Sequence, residues 1–201
     1  MNTDFIVNPD AGFANATMTG SSLHNQGYAF EAHGDFAKAE AAYLRAIDVK
    51  ERGFGPGNTS TAVSQNALGE LYIKMDKLSE AEEMLLRALK IRNEIGPQFD
   101  AAVTRENLGH LYEKQGDLLK AKDIRLQGAS KGAMACGNFY CPKQCPKQIF
   151  KRTDLQNCGR CRAVFYCCKP CQAADWKARH KKFCKPKDEL KKDATVPEKG
   201  K

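Results

Sequence analysis

All nine cysteines of this 201-residue chain fall between Cys136 and Cys184, and none lies in the first 135 residues. In order they run Cys136-GNFY-Cys141-PKQ-Cys145, then Cys158-GR-Cys161-RAVFY-Cys167-Cys168-KP-Cys171-QAADWKAR-His180-KKF-Cys184. Thiolate sulfur and imidazole nitrogen are the donors zinc takes in sets of four, and a chain delivers them most readily in close pairs. Cys158 and Cys161 make one such pair. His180 and Cys184, four apart in a helix-compatible run, make another on one face. Nine cysteines and a histidine exceed one tetrahedral site and suffice for two. A single site would leave many free thiols open to oxidation, whereas two sites leave two cysteines over.

Spacing alone leaves the first pair open between Cys136 with Cys141 and Cys141 with Cys145. Cys168 is a poor co-ligand for an ion held by Cys167, because the side chains of adjacent residues diverge. The run Cys158-x2-Cys161-x5-Cys167-x3-Cys171-Gln172-x2-Asp-Trp176-x3-His180-x3-Cys184 resembles a MYND finger, over about 136–184. Phe165-Tyr166 before Cys167, and Gln172 with Trp176 after Cys171, belong to the same resemblance.

That resemblance implies two zinc ions bound crosswise, pairs one and three sharing one ion and pairs two and four the other. Zinc 1 is then completed by Cys167 and Cys171. Zinc 2 is held by Cys158, Cys161, His180 and Cys184. The opening Cys-Gly-Asn-x-x-Cys-Pro is similar to a long-gap variant of the family, which favours Cys136 and Cys141 for zinc 1 and leaves Cys145 and Cys168 spare. A segment this short has too small a core to fold alone, and structural zinc supplies about 10–16 kcal/mol. The family also implies recognition of short proline-rich peptides, with Gln172 and Trp176 as the matched contacts. Packing of the small core is the competing role for Trp176, the chain's one tryptophan.

The elements upstream are repeats. NQGYAFEAHGDFAKAEAAYLRAI, NALGELYIKMDKLSEAEEMLLRAL and ENLGHLYEKQGDLLKAKDIRLQG share a glycine (Gly27, Gly69, Gly109), an aromatic three residues on (Phe30, Tyr72, Tyr112) and an alanine twelve residues on (Ala39, Ala81, Ala121). The period of 42 and then 40 residues marks a repeat array. Apolar spacings of three and four predict helices, with small residues where two helices cross. Met75-Asp76-Lys77 and Gln115-Gly116-Asp117 break the hairpins at their tips, and GFGPGNTS and GPQFD separate one unit from the next.

These segments resemble tetratricopeptide repeats of the longer, kinesin-light-chain-like type. Repeat one departs with Gln26 where leucine is usual. Repeat three departs with Arg125 and Gly128 where a large apolar residue and an alanine are usual, so its second helix is expected to pack loosely. The resemblance implies a concave face lined by the first helix of each pair. That face would carry Asn66, Glu70, Lys74, Asn107, His110 and Lys114 as groove residues; solvated helix surface is the competing reading.

The expected fold is mainly α, a TPR-type helical-hairpin solenoid followed by a small cross-braced two-zinc finger. Its expected parts are an unstructured segment 1–22, repeats over 23–134, the finger over 135–184 and an unstructured lysine-rich tail over 185–201. Residues 1–134 hold 15 basic against 18 acidic side chains, and residues 135–201 hold 17 against 6. The finger therefore favours acidic partners.

No stretch approaches the roughly 20 apolar residues a bilayer span needs, and residues 1–22 lack the pattern of a secretory signal. An intracellular location, cytoplasmic or nuclear, is expected, with no membrane partner. The expected function is a non-catalytic protein–protein interaction adaptor. Nucleic-acid association through the basic finger and tail is the alternative, but no base-reading helix or aromatic ladder accompanies the lysines. Lysine methyltransferases that combine a MYND insert with TPR-like helices also need a strand-rich catalytic domain, so membership of such an assembly ranks last.

Overall fold

The structure is a computed structural model that describes residues 9–144, 147–187 and 189. As the repeat spacing implies, it is mainly α: three helical hairpins precede a cysteine-rich segment. The chain divides into two compact units, Met1–Gly96 and Pro97–Lys201.

The first unit holds α1 (Pro9–Ala32), α2 (Phe36–Phe54), α3 (Thr59–Lys74) and α4 (Leu78–Glu94). Asp35 and Asn58 cap α2 and α3, their carboxylate and amide oxygens accepting from the backbone N–H of Lys38 and Ser60. The hairpin tips turn through left-handed residues at one repeat position, Gly34 (φ 79°) and Asp76 (φ 64°), and the second unit repeats this at Gly116 (φ 86°). The repeat glycines mark where helices cross. A Cβ on Gly27 would lie 2.7 Å from the Tyr43 ring, and one on Gly69 would lie 2.6 Å from Leu85 Cγ. Ala39, Ala46, Ala62, Leu68, Leu71, Leu85 and Ala88 are buried around these crossings.

Residues 1–22 were expected to be unstructured, yet α1 begins at Pro9. Phe13, Ala16, Gly20 and Leu23 recur at helical spacing on the face that meets α2. Ala16 and Leu23 are buried, Phe13 meets Phe54 edge-on with centroids 5.0 Å apart, and a Cβ on Gly53 would run into Ala16. Small residues carry most of that face, which hid the stripe from the sequence. Residues 1–8 of this segment, and residues 188 and 190–201 of the expected tail, lie outside the described residues.

In the second unit, α5 (Gln98–Gln115) and α6 (Leu118–Leu126) form the third hairpin, with Asp117 capping α6. Short 3-10 turns lead through β1 (Gln156–Asn157) and β2 (Phe165–Tyr166), paired antiparallel, to α7 (Lys169–Ala178) and a turn at His180–Lys182. Met134 and Phe150 form an isolated bridge, each N–H donating to the other's carbonyl.

Loose packing of the third hairpin's second helix was expected from Arg125 and Gly128, and the structure corrects this. Arg125 fills the place of Tyr43 and Leu85: a Cβ on Gly109 would lie 2.4 Å from its Cζ. Its side chain is 1% exposed and paired with two buried carboxylates, Glu106 and Glu113. A Cβ on Gly128 would lie 2.1 Å from Ala133 O, so glycine there lets the chain double back into the finger.

Lys50 on α2 is a buried cation held by neutral oxygens. It is 2% exposed and donates to Ser64 Oγ (2.8 Å) and Ser60 O (3.2 Å). Burial lowers its pKa from 10.5 to about 8. The unfolded chain therefore holds that proton more tightly than the native state, and unfolding takes one up between those values. Stability contributed at this site should rise as pH climbs from about 8 to 10.5. Denaturant titrations of wild type and Lys50→Met across this window should converge on the wild-type side; a parallel pH dependence in both would refute the assignment.

Candidate metal centre

The cysteines are delivered by different pieces of backbone. Cys136 follows the Met134–Phe150 bridge, and Gly137 N–H donates to Phe165 O (2.8 Å), fastening this segment to β2. A Cβ on Gly137 would lie 2.4 Å from Val164 Cγ1, so only glycine permits the approach. A turn closed by Cys141 N–H on Asn138 O (3.0 Å) then returns Cys141 beside Cys136.

The Cys158–Cys161 knuckle grows from β1. Cys158 N–H donates to Val164 O, Arg162 N–H donates back to Cys158 O, and Arg162 adopts a left-handed φ of 58°. Ala163 N–H points at Cys161 Sγ (3.4 Å). Cys167 follows β2, Cys168 immediately precedes α7, and Cys171 lies in its first turn, 3.6 Å from Cys167 between sulfurs. His180 and Cys184 come after α7, in and just beyond a 3-10 turn. Cys184 N–H still bonds His180 O (3.0 Å), so the two face one way as their spacing required.

Two groups of four donors result: Cys136, Cys141, Cys167 and Cys171, and Cys158, Cys161, His180 and Cys184, the donor atoms within 4.8 Å of one another in each. Sulfurs stand 3.6 Å apart for Cys141–Cys167 and 3.8 Å for Cys158–Cys184, and His180 Nε2 lies 3.4 Å from Cys161 Sγ. With Zn–S about 2.3 Å and Zn–N about 2.05 Å, a tetrahedron has S–S edges of roughly 3.8 Å and S–N edges of about 3.5 Å. A disulfide would hold its sulfurs about 2.05 Å apart. The geometry therefore fits tetrahedral zinc and excludes disulfides at these pairs.

Electrostatics agree. Burial pushes Cys136 up to about 12 and Cys184 to about 11, and raises Cys167 as well. Within the Cys158–Cys161 pair, the hydrogen bond between the thiols lowers Cys158 to about 3 and raises Cys161. One thiolate in such a cluster suppresses the next. A cation at the centre is what allows all of them to ionise.

Cys168 Sγ stands 3.7 Å from Cys167 but outside the group of four. Cys145, the other half of the alternative first pair, lies outside the described residues. Gln172 and Trp176 are half-buried on α7, and Trp176 meets the His180 ring edge-on, with centroids 5.8 Å apart.

The groove residues lie in two separate groups. In the first unit Asn66 is 6% exposed and donates to Glu70 (2.6 Å), and Lys74 pairs with Glu31 (2.6 Å). In the second, Asn107 is 4% exposed, His110 faces Glu106 (3.1 Å) and Lys114 is half-buried. Much of their hydrogen-bonding capacity is engaged within the fold.

Sequence reasoning missed the charged residues beneath the second group. Glu113, on α5, accepts from His180 Nδ1 and from Arg179 (each 2.8 Å), and from Arg125. Burial works against the charge of Glu106 and Glu113, yet Arg125 overrides it, holding Glu106 down to about 2 and Glu113 well below the usual carboxylate range. Asp175 accepts from Tyr166 Oη (2.7 Å) and from Arg179. One signal was available: repeat one carries Glu31 and Tyr43 at the positions of Glu113 and Arg125, joined by a 2.9 Å hydrogen bond, and repeat two carries Ile73 and Leu85.

Family models for the tetratricopeptide repeat match residues 18–94 and 60–124, together more than half of the chain, and a model for the MYND finger matches residues 138–184. The chain is a tetratricopeptide-repeat protein with a MYND finger. Cys136 stands just ahead of the matched finger, so its place rests on the geometry above. Among curated proteins, a Drosophila melanogaster tetratricopeptide repeat protein 19 homolog, mitochondrial, is 24% identical over 90 residues, 45% of this chain and 24% of that protein. Mouse (Mus musculus) Egl nine homolog 1 is 56% identical over 34 residues, 17% of this chain and 8% of that protein. An Arabidopsis thaliana F-box protein is 40% identical over 42 residues, 21% of this chain and 11% of that protein. The chain thus spans at most about a quarter of the length of these relatives.

Elemental analysis of the purified chain should find two zinc ions. Cys136→Ser should reduce this to one, and Cys168→Ser should leave both. Retention of two ions by Cys136→Ser would move the first site to another thiol.

Proposed function

We propose that the chain is a non-catalytic adaptor whose finger holds two zinc ions and presents a peptide-reading surface on α7. Tetratricopeptide repeats and MYND fingers are protein-interaction modules, which supports the adaptor reading at the level of class. The specific reading is that Trp176 and Gln172 contact a short, extended, proline-rich segment of a partner protein. A partner segment of that kind is already ordered before binding and rests well on an aromatic surface.

The observation that carries this reading is the position of Trp176. Its indole is partly exposed, packs against the finger's core and stands at a steep angle to the His180 ring. An aromatic side chain fixed against a metal ligand offers a rigid surface and loses little rotamer freedom when a peptide settles on it. Core packing and peptide contact are thus two faces of one ring. The repeats supply a second contact for a partner through the groove residues that keep some exposure, Glu70 and Lys74 in one unit and His110 and Lys114 in the other, while Asn66 and Asn107 lie beneath the surface. Clustered thiols committed to metal suit a reducing compartment, which supports an intracellular site of action.

Nucleic-acid association is the second reading. The exposed pair Phe139 (49%) and Tyr140 (80%), in a region rich in lysine, favours it. It predicts affinity for random duplex or single strands that falls steeply with salt, whereas the peptide reading predicts shallow salt dependence.

A proline-rich peptide with a central leucine should bind the full chain with a Kd in the micromolar range or weaker and change the fluorescence of Trp176, since a short peptide buries little area. Trp176→Ala should abolish this binding while both zinc ions stay in place. Loss of metal from that variant would make Trp176 a core residue alone, and undiminished binding would move the contact elsewhere.

A further inference from the structure

The third hairpin grips the finger through buried charge. Arg105 of α5 donates to Ala133 O (2.8 Å), just ahead of the first ligand segment. Arg125 of α6 donates through Nη1 to Ala163 O (3.1 Å), two residues beyond Cys161, while its Nε and Nη2 engage Glu106. Glu113 of α5 receives Arg125, Arg179 and His180 Nδ1 on its two oxygens, and both Glu113 and His180 are buried. The helices of the hairpin therefore touch both chain segments that supply the second group of donors: the knuckle and the histidine turn.

The consequence for His180 is specific. An imidazole has one proton to place, and a ring nitrogen binds metal only through a free lone pair. With Nδ1–H donated to Glu113, the lone pair sits on Nε2, the nitrogen that faces Cys161 Sγ at 3.4 Å. The same bond fixes the ring's rotation about its side-chain axis. A carboxylate behind a metal-binding histidine also strengthens the opposite nitrogen as a donor, and losing such a partner typically weakens metal affinity by about 10–100-fold.

We infer that Glu113, a residue of the third tetratricopeptide repeat, is a positioning residue for the second metal site, so that the repeat forms that site's outer shell and the finger's metal is held in part from outside the finger. The inference rests on reading that group as a zinc site. It also gives Arg125 a reason to stand where the other repeats carry Tyr43 and Leu85. Two buried carboxylates, Glu106 and Glu113, share Arg125 as a buried cation, and an apolar residue there would take that cation from both.

The test uses the full chain loaded with Co2+, whose absorption distinguishes a four-sulfur site from one with three sulfurs and a nitrogen. In wild type, chelator challenge should remove two ions in separable steps. In Glu113→Ala, the sulfur–nitrogen site should release metal at about 10–100-fold lower chelator concentration while the four-sulfur site is unchanged, and Glu113→Gln, which keeps one acceptor oxygen, should fall between. In a His180→Cys background the site becomes four-sulfur, with no imidazole left to orient, and Glu113→Gln should then have no further effect on metal release.

Equal loosening of both sites, no change at either, or an undiminished effect in the His180→Cys background would overturn the inference and assign Glu113 to core charge balance alone. Collapse of Glu113→Gln in both backgrounds under excess metal would do the same. A wild-type chain that binds fewer than two ions would instead sink the zinc reading on which the inference stands.

Discussion

Several thiols brought within 4.8 Å of one another, beneath an almost closed surface, cannot all ionise without a cation among them. Burial drives Cys136, Cys167 and Cys184 toward the protonated form. The apolar residues of the finger, chiefly Phe150, Leu155, Val164, Phe165 and Tyr166, fold around the cysteines themselves. Metal coordination and core packing are therefore one event here. The crosswise arrangement strengthens this, because each group draws on two distant stretches of chain and no local segment can assemble a site alone.

A second constraint follows from where the third hairpin lies. Leu118 of α6 joins the core of the finger, and Arg125 lies wholly beneath the surface with carboxylates on two sides. Removing a single partner from such a cluster strands a charge in the interior, which costs several kcal/mol. The third repeat therefore shares a compact unit with the finger, while the first two hairpins form the other. The repeat period continues across that boundary, and the boundary reflects which core each hairpin completes.

The adaptor reading draws on the same economy. On that reading the indole that would meet a peptide rests against a ring of the second donor group, so the proposed surface is only as well defined as the site beneath it. The regularity of the hairpins does similar work in the first unit, where Gly27 and Gly69 bring helices close, and Glu31, Glu40 and Glu51 tie one hairpin to the next through Lys74, Lys77 and Arg87. Half-exposed pairs of this kind contribute little each; the buried alanines and leucines between the helices supply most of the stability.

The sequence alone determined what is local and periodic. The glycine, aromatic and alanine of each repeat, the hairpin tips at Asp76 and Gly116, and the spacing of the cysteine pairs all follow from helix geometry and ligand reach, and both domain types were legible from them. The helix ahead of residue 23 was not, because its buried face consists largely of small residues without a strong apolar signal. Nor was the role of Glu113 and Arg125. They lie far along the chain from His180, and in a repeat pattern Arg125 reads as a flaw in packing. Only the tertiary structure brings a carboxylate of α5 against a ring nitrogen of His180, because a buried charge is defined by what surrounds it once distant segments have packed together.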